Sequence, residues 1–238
     1  MPLIDVFVTR FPNGVTNVGS SDLFNSFKAP NPLLYHTQFN DFDTYAAGDW
    51  TVTETQAGAT EALAAGDGGL LLLTNSAADN DIVQIQNAIA NFTITAGKKF
   101  FFQSRFKVSD ATQSDLAVGL QLANVDGCTL ATATDGIFFH KADGATSVDV
   151  YFRKNNTTGS SKGTAVATLA DDTFIVLGAF YDGVDRLYYA VNGTVTGYID
   201  AGSAYLPDAN VALIFSLTNG EAAAKTATVD YLFAAQER

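Results

Sequence analysis

The sequence predicts an all-β fold, an antiparallel β-sandwich or barrel, and three observations support this prediction. Short runs of apolar or alternating residues, each about as long as a β-strand, recur through most of the 238 residues. Asp-Gly and Asn-Gly pairs separate many of these runs and supply the positive φ that tight hairpin turns need. No segment shows a long helical period. Many short strands with such turns are typical of sandwiches and barrels.

Residues 174–199 show the pattern most clearly and predict a β-meander of three strands. The first run, FIVLGAF, is almost wholly apolar, as expected of a strand that is covered on both faces. A turn at Asp182-Gly183 leads to a second strand with period-two alternation, in which Tyr188 and Tyr189 must face opposite ways. A turn at Asn192-Gly193 leads to the third strand.

Further strands are predicted on both sides of this meander. Residues 81–90 suit a helix or a strand, and we interpret them as a strand because their alternation, although imperfect, has period two. A short helical turn is predicted at residues 219–225, and a flexible loop at the polar stretch KNNTTGSSKG, residues 154–163. The other predicted strands cover residues 50–55, 69–75, 99–109, 116–122, 136–141, 147–153, 164–169, 211–218 and 226–235.

Residues 1–47 differ from the rest, and we predict that they form an extended N-terminal arm in front of a sandwich formed by residues 48–238. Four of the five prolines lie in the arm, which argues against a regular sheet there because proline lacks a ladder donor. The arm is too rich in aromatic residues for a solvated tail, so it either wraps its own domain or docks on a partner chain. Residues 3–9 could add one strand to a sheet of this chain or of a neighbour. The aromatic residues predicted to contact a partner include Phe7, Phe11, Phe24, Phe27, Tyr35 and Phe39.

The composition argues against several classes of protein. The formal net charge is −12 with 13 lysines and arginines, which disfavours nucleic acid and anionic membranes as partners because both reward clustered cations. The single cysteine, Cys128, excludes an intrachain disulfide framework. The first residues lack the features of a signal peptide, and no apolar run is long enough to span a bilayer. We therefore expect a soluble chain that is made in a cytoplasm.

The order of strands and turns resembles the concanavalin A-like lectin and glucanase jelly roll, of the laminin-G-like kind. The resemblance is carried by the stretches FFFQSRFKVSD, VGLQL, DGIFFHKADG and VDVYFRK, by the hairpin YDGVDRLYYAVNG and by the closing VDYLFAAQER. It covers residues 48–238 and implies a jelly-roll sandwich. Because its motifs are strands and turns, it bears on fold far more than on function.

The chain as a whole also resembles the capsid decoration, or cement, proteins of tailed bacteriophages. The likeness lies in its layout, a proline- and phenylalanine-rich arm before a jelly roll rich in Ala, Thr and Gly. It implies a viral structural protein of the virion, displayed on the capsid surface after synthesis in the host cytoplasm. The arm would bind the major capsid protein or sister subunits, with a trimeric homo-oligomer favoured. The alternative is a carbohydrate-binding, lectin-like module of a virion or cell surface.

The acidic residues do not predict enzymatic activity. Retaining glycosidases of the jelly roll that this chain resembles carry their two carboxylates in an E-x-D-x-E or E-x-D-x-x-E strand, and none of the four glutamates lies in such a motif. His36 and His140 belong to no nucleophile motif, and we interpret both as structural residues. No catalytic, cofactor-binding or metal-binding residue is assigned, and the chain is expected not to be an enzyme.

Two kinds of ligand stay open at this stage. Laminin-G-like domains often hold calcium at the rim of the sandwich, and the loop carboxylates at residues 79–81 and 171–172 offer oxygens, although Asp and Asn also serve turns. Two histidines and one cysteine argue against zinc. A glycan would stack on an exposed tyrosine beside polar groups, and Tyr188 and Tyr198 are the predicted contacts. The alternative for both tyrosines is packing within the sheet or at an interface.

Overall fold

β-Strands in two antiparallel sheets make up most of the structure. The computed structural model describes residues 33–155, 161–200 and 202–238. Within those ranges the helices are two three-residue 3₁₀ helices, Ala47–Asp49 and Ser203–Tyr205, and no helix is long and apolar enough to cross a membrane. The strands are β1 (Tyr35–Asn40), β2 (Trp50–Glu54), β3 (Thr60–Ala64), β4 (Leu70–Thr74), β5 (Ile82–Asn87), β6 (Phe100–Val108), β7 (Ser114–Gln121), β8 (Gly136–Lys141), β9 (Ser147–Arg153), β10 (Ser161–Thr168), β11 (Ile175–Tyr181), β12 (Arg186–Val191), β13 (Thr194–Asp200), β14 (Ala212–Asn219) and β15 (Thr226–Glu237).

The first sheet has eight strands in the order β13–β12–β11–β6–β15–β4–β3, with β1 also joined to β15. This arrangement is possible because the 12-residue strand β15 is long enough to pair with two strands along one edge. β4 pairs with its first half, from Thr226 to Val229, and β1 pairs with its second half, from Leu232 to Glu237. β6 pairs along the opposite edge.

The second sheet has seven strands in the order β10–β9–β8–β7–β14–β5–β2. All of its pairs are antiparallel. The two neighbours of β7 come from distant parts of the chain: β8 follows β7 directly, whereas β14 comes after β11, β12 and β13 of the first sheet. The predicted antiparallel β-sandwich is therefore confirmed.

The hydrophobic core lies between the two sheets and takes alternate residues of most strands. In β6 this alternation is complete: Phe100, Phe102, Ser104, Phe106 and Val108 are buried, and the four residues between them are half-buried on the outer face. The rings of Phe106 and Phe215 meet edge to face, with 5.3 Å between their centroids. This contact joins the first sheet to β14 of the second.

The predicted β-meander is confirmed as β11, β12 and β13. Asn192 and Gly193 have φ values of 49° and 78°, which are the positive values that a two-residue hairpin turn needs. At the other turn, one carboxylate oxygen of Asp182 accepts the backbone N–H groups of Val184, Asp185 and Arg186. Both turns of the meander therefore lie at the positions that the sequence predicts.

Residues 220–223 form bends and residues 224–225 have no regular structure, so the predicted helical turn at 219–225 is wrong. Long-range contacts explain the difference. The side-chain amide of Asn219 donates to the carbonyl oxygens of Ser76 and Ala78, at 2.7 and 2.8 Å. The Lys225 Nζ lies 2.7 Å from an Asp110 carboxylate oxygen. These contacts fix both ends of the segment and override its local helix propensity.

The described part of the predicted arm, residues 33–47, includes a regular strand. β1 begins three residues after Pro32, where the prolines that argue against a sheet have ended. Phe42 then enters the core and packs on Trp50, with 6.0 Å between ring centroids. The predicted strand at residues 3–9, the side chains of Phe7, Phe11, Phe24 and Phe27, and residues 156–160 of the predicted loop lie outside the described residues.

Candidate functional site

The outer face of the seven-stranded sheet is covered by residues 122–135, here called the covering loop. The glutamine side chains of β5 and β7 hold this loop by its backbone. The Gln84 amide donates to the Asn124 carbonyl oxygen at 2.9 Å and accepts from the Gly127 N–H at 2.7 Å. The Gln121 amide donates to the Gly127 carbonyl oxygen at 3.0 Å. These buried polar side chains are therefore satisfied by the loop itself.

A row of titratable side chains lies beside the covering loop on the same face. Burial lowers the pKa of His140, whose Nε2 lies 2.8 Å from the carbonyl oxygen of Cys128. Lys162 Nζ lies 2.6 Å from a carboxylate oxygen of Asp149. Burial raises the pKa of Asp115, which accepts the N–H of Asp143 at 2.5 Å. Each group already has a partner within the chain, so this row holds strands and loop together.

The residues considered for other chemistry are placed as follows. Cys128 belongs to the covering loop, its side chain is buried against β14, and burial raises the pKa of its thiol to about 12. His36 packs against Phe92, with 4.9 Å between ring centroids. The carboxylate of Asp81 accepts the hydroxyl of Thr55 and the N–H of Ser76, and Asp171 accepts the N–H of Ala111. Among the described residues, no group of three or more His, Cys, Asp and Glu is placed to hold a metal ion.

The outer face of the eight-stranded sheet carries a different surface, an aromatic row that crosses six strands. Cross-strand pairing aligns its members: Tyr198 is opposite Tyr188, Phe180 is opposite both Tyr188 and Phe101, and Phe39 is opposite Phe233. Rings on neighbouring strands lie 5.7 to 6.3 Å apart between centroids in four of these contacts. From one end to the other the aromatic row consists of Tyr198, Tyr188, Phe180, Phe101, Phe233 and Phe39.

One end of the aromatic row is polar and is here called the tyrosine platform, formed by Tyr188, Tyr198 and Arg186. The two tyrosine rings lie 5.8 Å apart, and the Arg186 guanidinium carbon lies 4.4 Å from the centroid of the Tyr198 ring. A hydrogen bond with Tyr188 raises the pKa of Arg186. Arg186 lies over one face of the Tyr198 ring, and Tyr198 is 49% exposed, so the rest of the ring is accessible to a ligand.

The other end of the aromatic row is apolar. Phe39 is 59% exposed, and its ring contacts Phe233 and Tyr231 at 6.0 and 6.2 Å between centroids. Tyr35, the other described residue among the predicted partner contacts, also lies on β1 and is half-buried. The structure thus places Phe39 on the same face as Tyr188 and Tyr198, although the sequence analysis assigned them to different ligands.

Sequence reasoning missed the three phenylalanines in the middle of the aromatic row. The alternation of β6 and β11 contains the signal that Phe101 and Phe180 face outward, because their neighbours on both sides are core residues. Tyr189 faces the core, where its ring lies against Gly197, which confirms that Tyr188 and Tyr189 point in opposite directions.

No family model matches the chain, and no curated protein matches it in sequence. Solved structures match its fold. The endo-1,3-β-glucanase of Streptomyces sioyaensis is 14% identical, with a TM-score of 0.62 over 88% of this chain and 99% of its own. Peanut lectin is 12% identical, with a TM-score of 0.54 over 86% of this chain and 97% of its own. The endo-β-1,4-glucuronan lyase of Trichoderma reesei is 10% identical, with a TM-score of 0.55 over 83% of this chain and 94% of its own.

These similarities correct one expectation and confirm another. The expectation that the chain is not an enzyme is wrong at the level of the fold, because the solved proteins that share it include a glucanase and a lyase. At such low identity the relationship is one of fold alone. The resemblance to the concanavalin A-like jelly roll of lectins and glucanases is confirmed, and the resemblance to phage capsid decoration proteins stays a prediction.

Proposed function

We propose that this chain is a carbohydrate-binding, lectin-like protein and that the tyrosine platform is its glycan site. The observation that carries the proposal is the cross-strand pair of Tyr188 and Tyr198, with the guanidinium of Arg186 stacked on the outer ring. Two outward rings side by side provide an apolar surface for the C–H face of a sugar ring. The phenolic hydroxyls and the guanidinium add hydrogen-bonding groups for the sugar hydroxyls.

The position of the platform fits binding to a long or surface-bound glycan. It lies on β12 and β13, at the edge of the eight-stranded sheet, on an open surface rather than in a deep cleft. Arg186 lies opposite Asp200 in the strand register, so acidic and basic groups flank the two rings. That a lectin and a glucanase share the fold agrees with this proposal only by analogy.

Glycan-array binding of the full chain, with and without calcium, tests the proposal. Tyr198→Ala should lower binding about two- to tenfold, since stacking on one aromatic ring contributes about 0.5–1.5 kcal/mol. Tyr198→Phe keeps the ring and should retain most of the binding. Thr196→Ala, on the same exposed strand, is the matched control. An array on which the native chain binds nothing under either condition would contradict the proposal.

A second candidate function follows from the apolar end of the aromatic row. Phe39, Phe233 and Phe101 bring no hydroxyl group, and an exposed aromatic side chain such as Phe39 is typical of an anchor in a protein interface. This end of the row supports the proposal of a virion structural protein that docks on a major capsid protein and displays its jelly roll on the capsid surface as a trimer. Synthesis in a host cytoplasm belongs to the same proposal.

Solution mass and particle binding test this second candidate. The native chain should behave as a trimer and should sediment with tailed-phage capsids, whereas Phe39→Ser should weaken both properties. Deletion of residues 1–32 leaves β1 intact and separates the contribution of the preceding residues from that of Phe39. A monomeric native chain that does not sediment with capsids would contradict the candidate.

A further inference from the structure

The outer faces of the two sheets differ in how they are covered. On the seven-stranded sheet the covering loop lies over the polar side chains of β5 and β7. On the eight-stranded sheet the middle of the aromatic row, Phe180, Phe101 and Phe233, is half-buried, and its two ends, Tyr198 and Phe39, are 49% and 59% exposed. Rings left partly in water in this way mark a surface to which another segment or a partner binds.

The surface beside the aromatic row is apolar as well. On β12 and β13, Ala190 lies opposite Val195, which is 63% exposed. On β11 the outward residue Val176 is half-buried and lies opposite Arg105 of β6. The guanidinium of Arg105 is paired with the Asp230 carboxylate of β15, so this charge is balanced within the chain. The face therefore suits an apolar, uncharged occupant.

Residues 1–32, here called the leading segment, have the composition of such an occupant. Two acidic and two basic residues give the segment a formal net charge of zero, so the whole net charge of −12 lies on residues 33–238. Its four phenylalanines are Phe7, Phe11, Phe24 and Phe27. Aromatic rings gain free energy when they leave water for an apolar surface.

The leading segment joins the sandwich beside the aromatic row. The carbonyl oxygen of Leu34 accepts the N–H of Arg238 at 2.8 Å, which holds the start of β1 to the end of β15. These two strands carry Phe39 and Phe233 of the row, opposite each other. An extended chain of 32 residues reaches about 100 Å, whereas six strands are about 25 Å wide. A tethered segment of this length meets the row at a higher effective concentration than a free partner does.

We infer that the leading segment covers the aromatic row of its own chain, with its phenylalanine rings packed on Phe180, Phe101 and Phe233. The tyrosine platform lies at the edge of the sheet and carries the guanidinium of Arg186, so the apolar cover ends before it. The inference therefore does not rest on the proposed glycan site. It also leaves Phe39, at the other end of the row, to the capsid contact of the second candidate function.

A double-mutant cycle in the full chain tests the inference. Phe7→Ala/Phe11→Ala and Phe24→Ala/Phe27→Ala are each made alone and together with Phe180→Ala, and melting temperatures are measured. Where the rings touch, removing one side leaves less for the second change to remove. For at least one pair, the loss in the combined variant should therefore be smaller than the sum of the separate losses by about 2–4 °C. Phe233→Ala gives a second cycle if Phe180→Ala does not fold.

Val125→Ala is the matched control, because Val125 is 69% exposed and lies in the covering loop on the other sheet. Its effect should add to that of either pair. The measurement is made at a concentration where light scattering gives the mass of a single chain. The inference is overturned if both pairs add to Phe180→Ala as they add to Val125→Ala, which would leave the row to a partner protein. It is also overturned if the coupling appears only at concentrations where chains associate, because the cover would then come from a second copy.

Discussion

His140 Nε2 lies 2.8 Å from the carbonyl oxygen of Cys128, and this hydrogen bond ties the covering loop to the outer face of β8. A carbonyl oxygen can only accept, so Nε2 carries the proton and the neutral ring is the Nε2–H tautomer. Because the imidazole is 7% exposed, gaining a second proton there is opposed by burial. The hydrogen bond to Cys128 favours the protonated ring, but the larger effect of burial lowers the pKa of His140.

Stability should fall as the pH drops below about 6.5, the pKa of an unfolded histidine. Burial lowers the pKa of His140 in the folded chain, although Asp115 and Asp149 oppose this and Lys162 adds to it. The unfolded chain thus binds the proton first, and the free energy of unfolding decreases between that pKa and the lower folded one. His140→Gln should flatten the dependence of urea midpoints over pH 5–7, with His36→Gln as the control. Parallel curves for native chain and His140→Gln would contradict this prediction.

A second pH dependence should appear at lower pH, at Asp110. Its carboxylate accepts the backbone N–H groups of Gln113 and Thr112 and pairs with Lys225, and together these lower its pKa to about 2. A depressed carboxyl pKa stabilises the fold above the unfolded value, and that stability is lost as pH falls towards the folded value. Because the carboxylate is partly open to solvent, screening reduces the corresponding stabilisation to about 1–2 kcal/mol.

Asp110→Asn should therefore destabilise the chain at pH 7 by about 1–2 kcal/mol and much less near pH 2. Urea denaturation at the two pH values measures the difference. Asp185→Asn removes a carboxylate from an exposed turn and serves as the control. An Asp110→Asn penalty of equal size at both pH values would show that the pairing with Lys225 and the two N–H groups is not its origin.

The strands could be predicted from the sequence wherever alternation or a long apolar run is strong, as in β6 and β11. β3 was missed because its sequence, TEALA, has little β propensity, and pairing with β4 makes it a strand. β5 was ambiguous because Gln84 and Gln86 are as buried as its apolar residues. The covering loop buries them, and no local pattern in the sequence shows that loop.

The candidate sites were less predictable than the strands. Tyr188 could be singled out because it and Tyr189 must face opposite ways, but its alignment with Tyr198 could not be predicted. The Asn192-Gly193 turn alone would place Tyr188 opposite Gly197, and a register shift within the hairpin brings Tyr198 opposite it instead. The other members of the aromatic row could not be predicted either, because Phe101 and Phe233 are 132 positions apart in sequence. Their contact depends on the register of β6 with β15.

Cys128 should be unreactive in the folded chain. Its side chain is 5% exposed, and its Sγ lies 3.5 Å from the Ser216 carbonyl oxygen. Burial raises the pKa of the thiol to about 12, so the nucleophilic thiolate is scarce at neutral pH. A thiol-reactive probe at pH 8 should label the chain only after denaturation. Rapid labelling of the native chain would mean that the covering loop opens readily.

Two glycines on the outer faces of the sheets should respond very differently to alanine. A Cβ on Gly119, in β7, would lie 2.4 Å from the Ile137 carbonyl oxygen and 2.5 Å from the Phe138 Cα. Those backbone atoms belong to the paired strand β8 and cannot move without breaking the ladder at the centre of the sheet. Gly119→Ala should therefore lower the free energy of unfolding by about 2–3 kcal/mol.

Gly178→Ala, in β11 of the other sheet, is the matched control. A Cβ there meets its nearest atom, the Phe102 carbonyl oxygen, at 3.5 Å, which is an ordinary contact. Alanine also restricts the unfolded chain, so the change should be neutral or stabilising by up to about 1 kcal/mol. Urea denaturation of both variants gives the comparison. Gly119 also has a φ of 152°, which residues with a side chain rarely adopt. Equal effects would contradict the close approach of β7 and β8, whereas a large loss for Gly119→Ala alone would confirm that the backbone contact and this φ, rather than strand propensity, require glycine at this position.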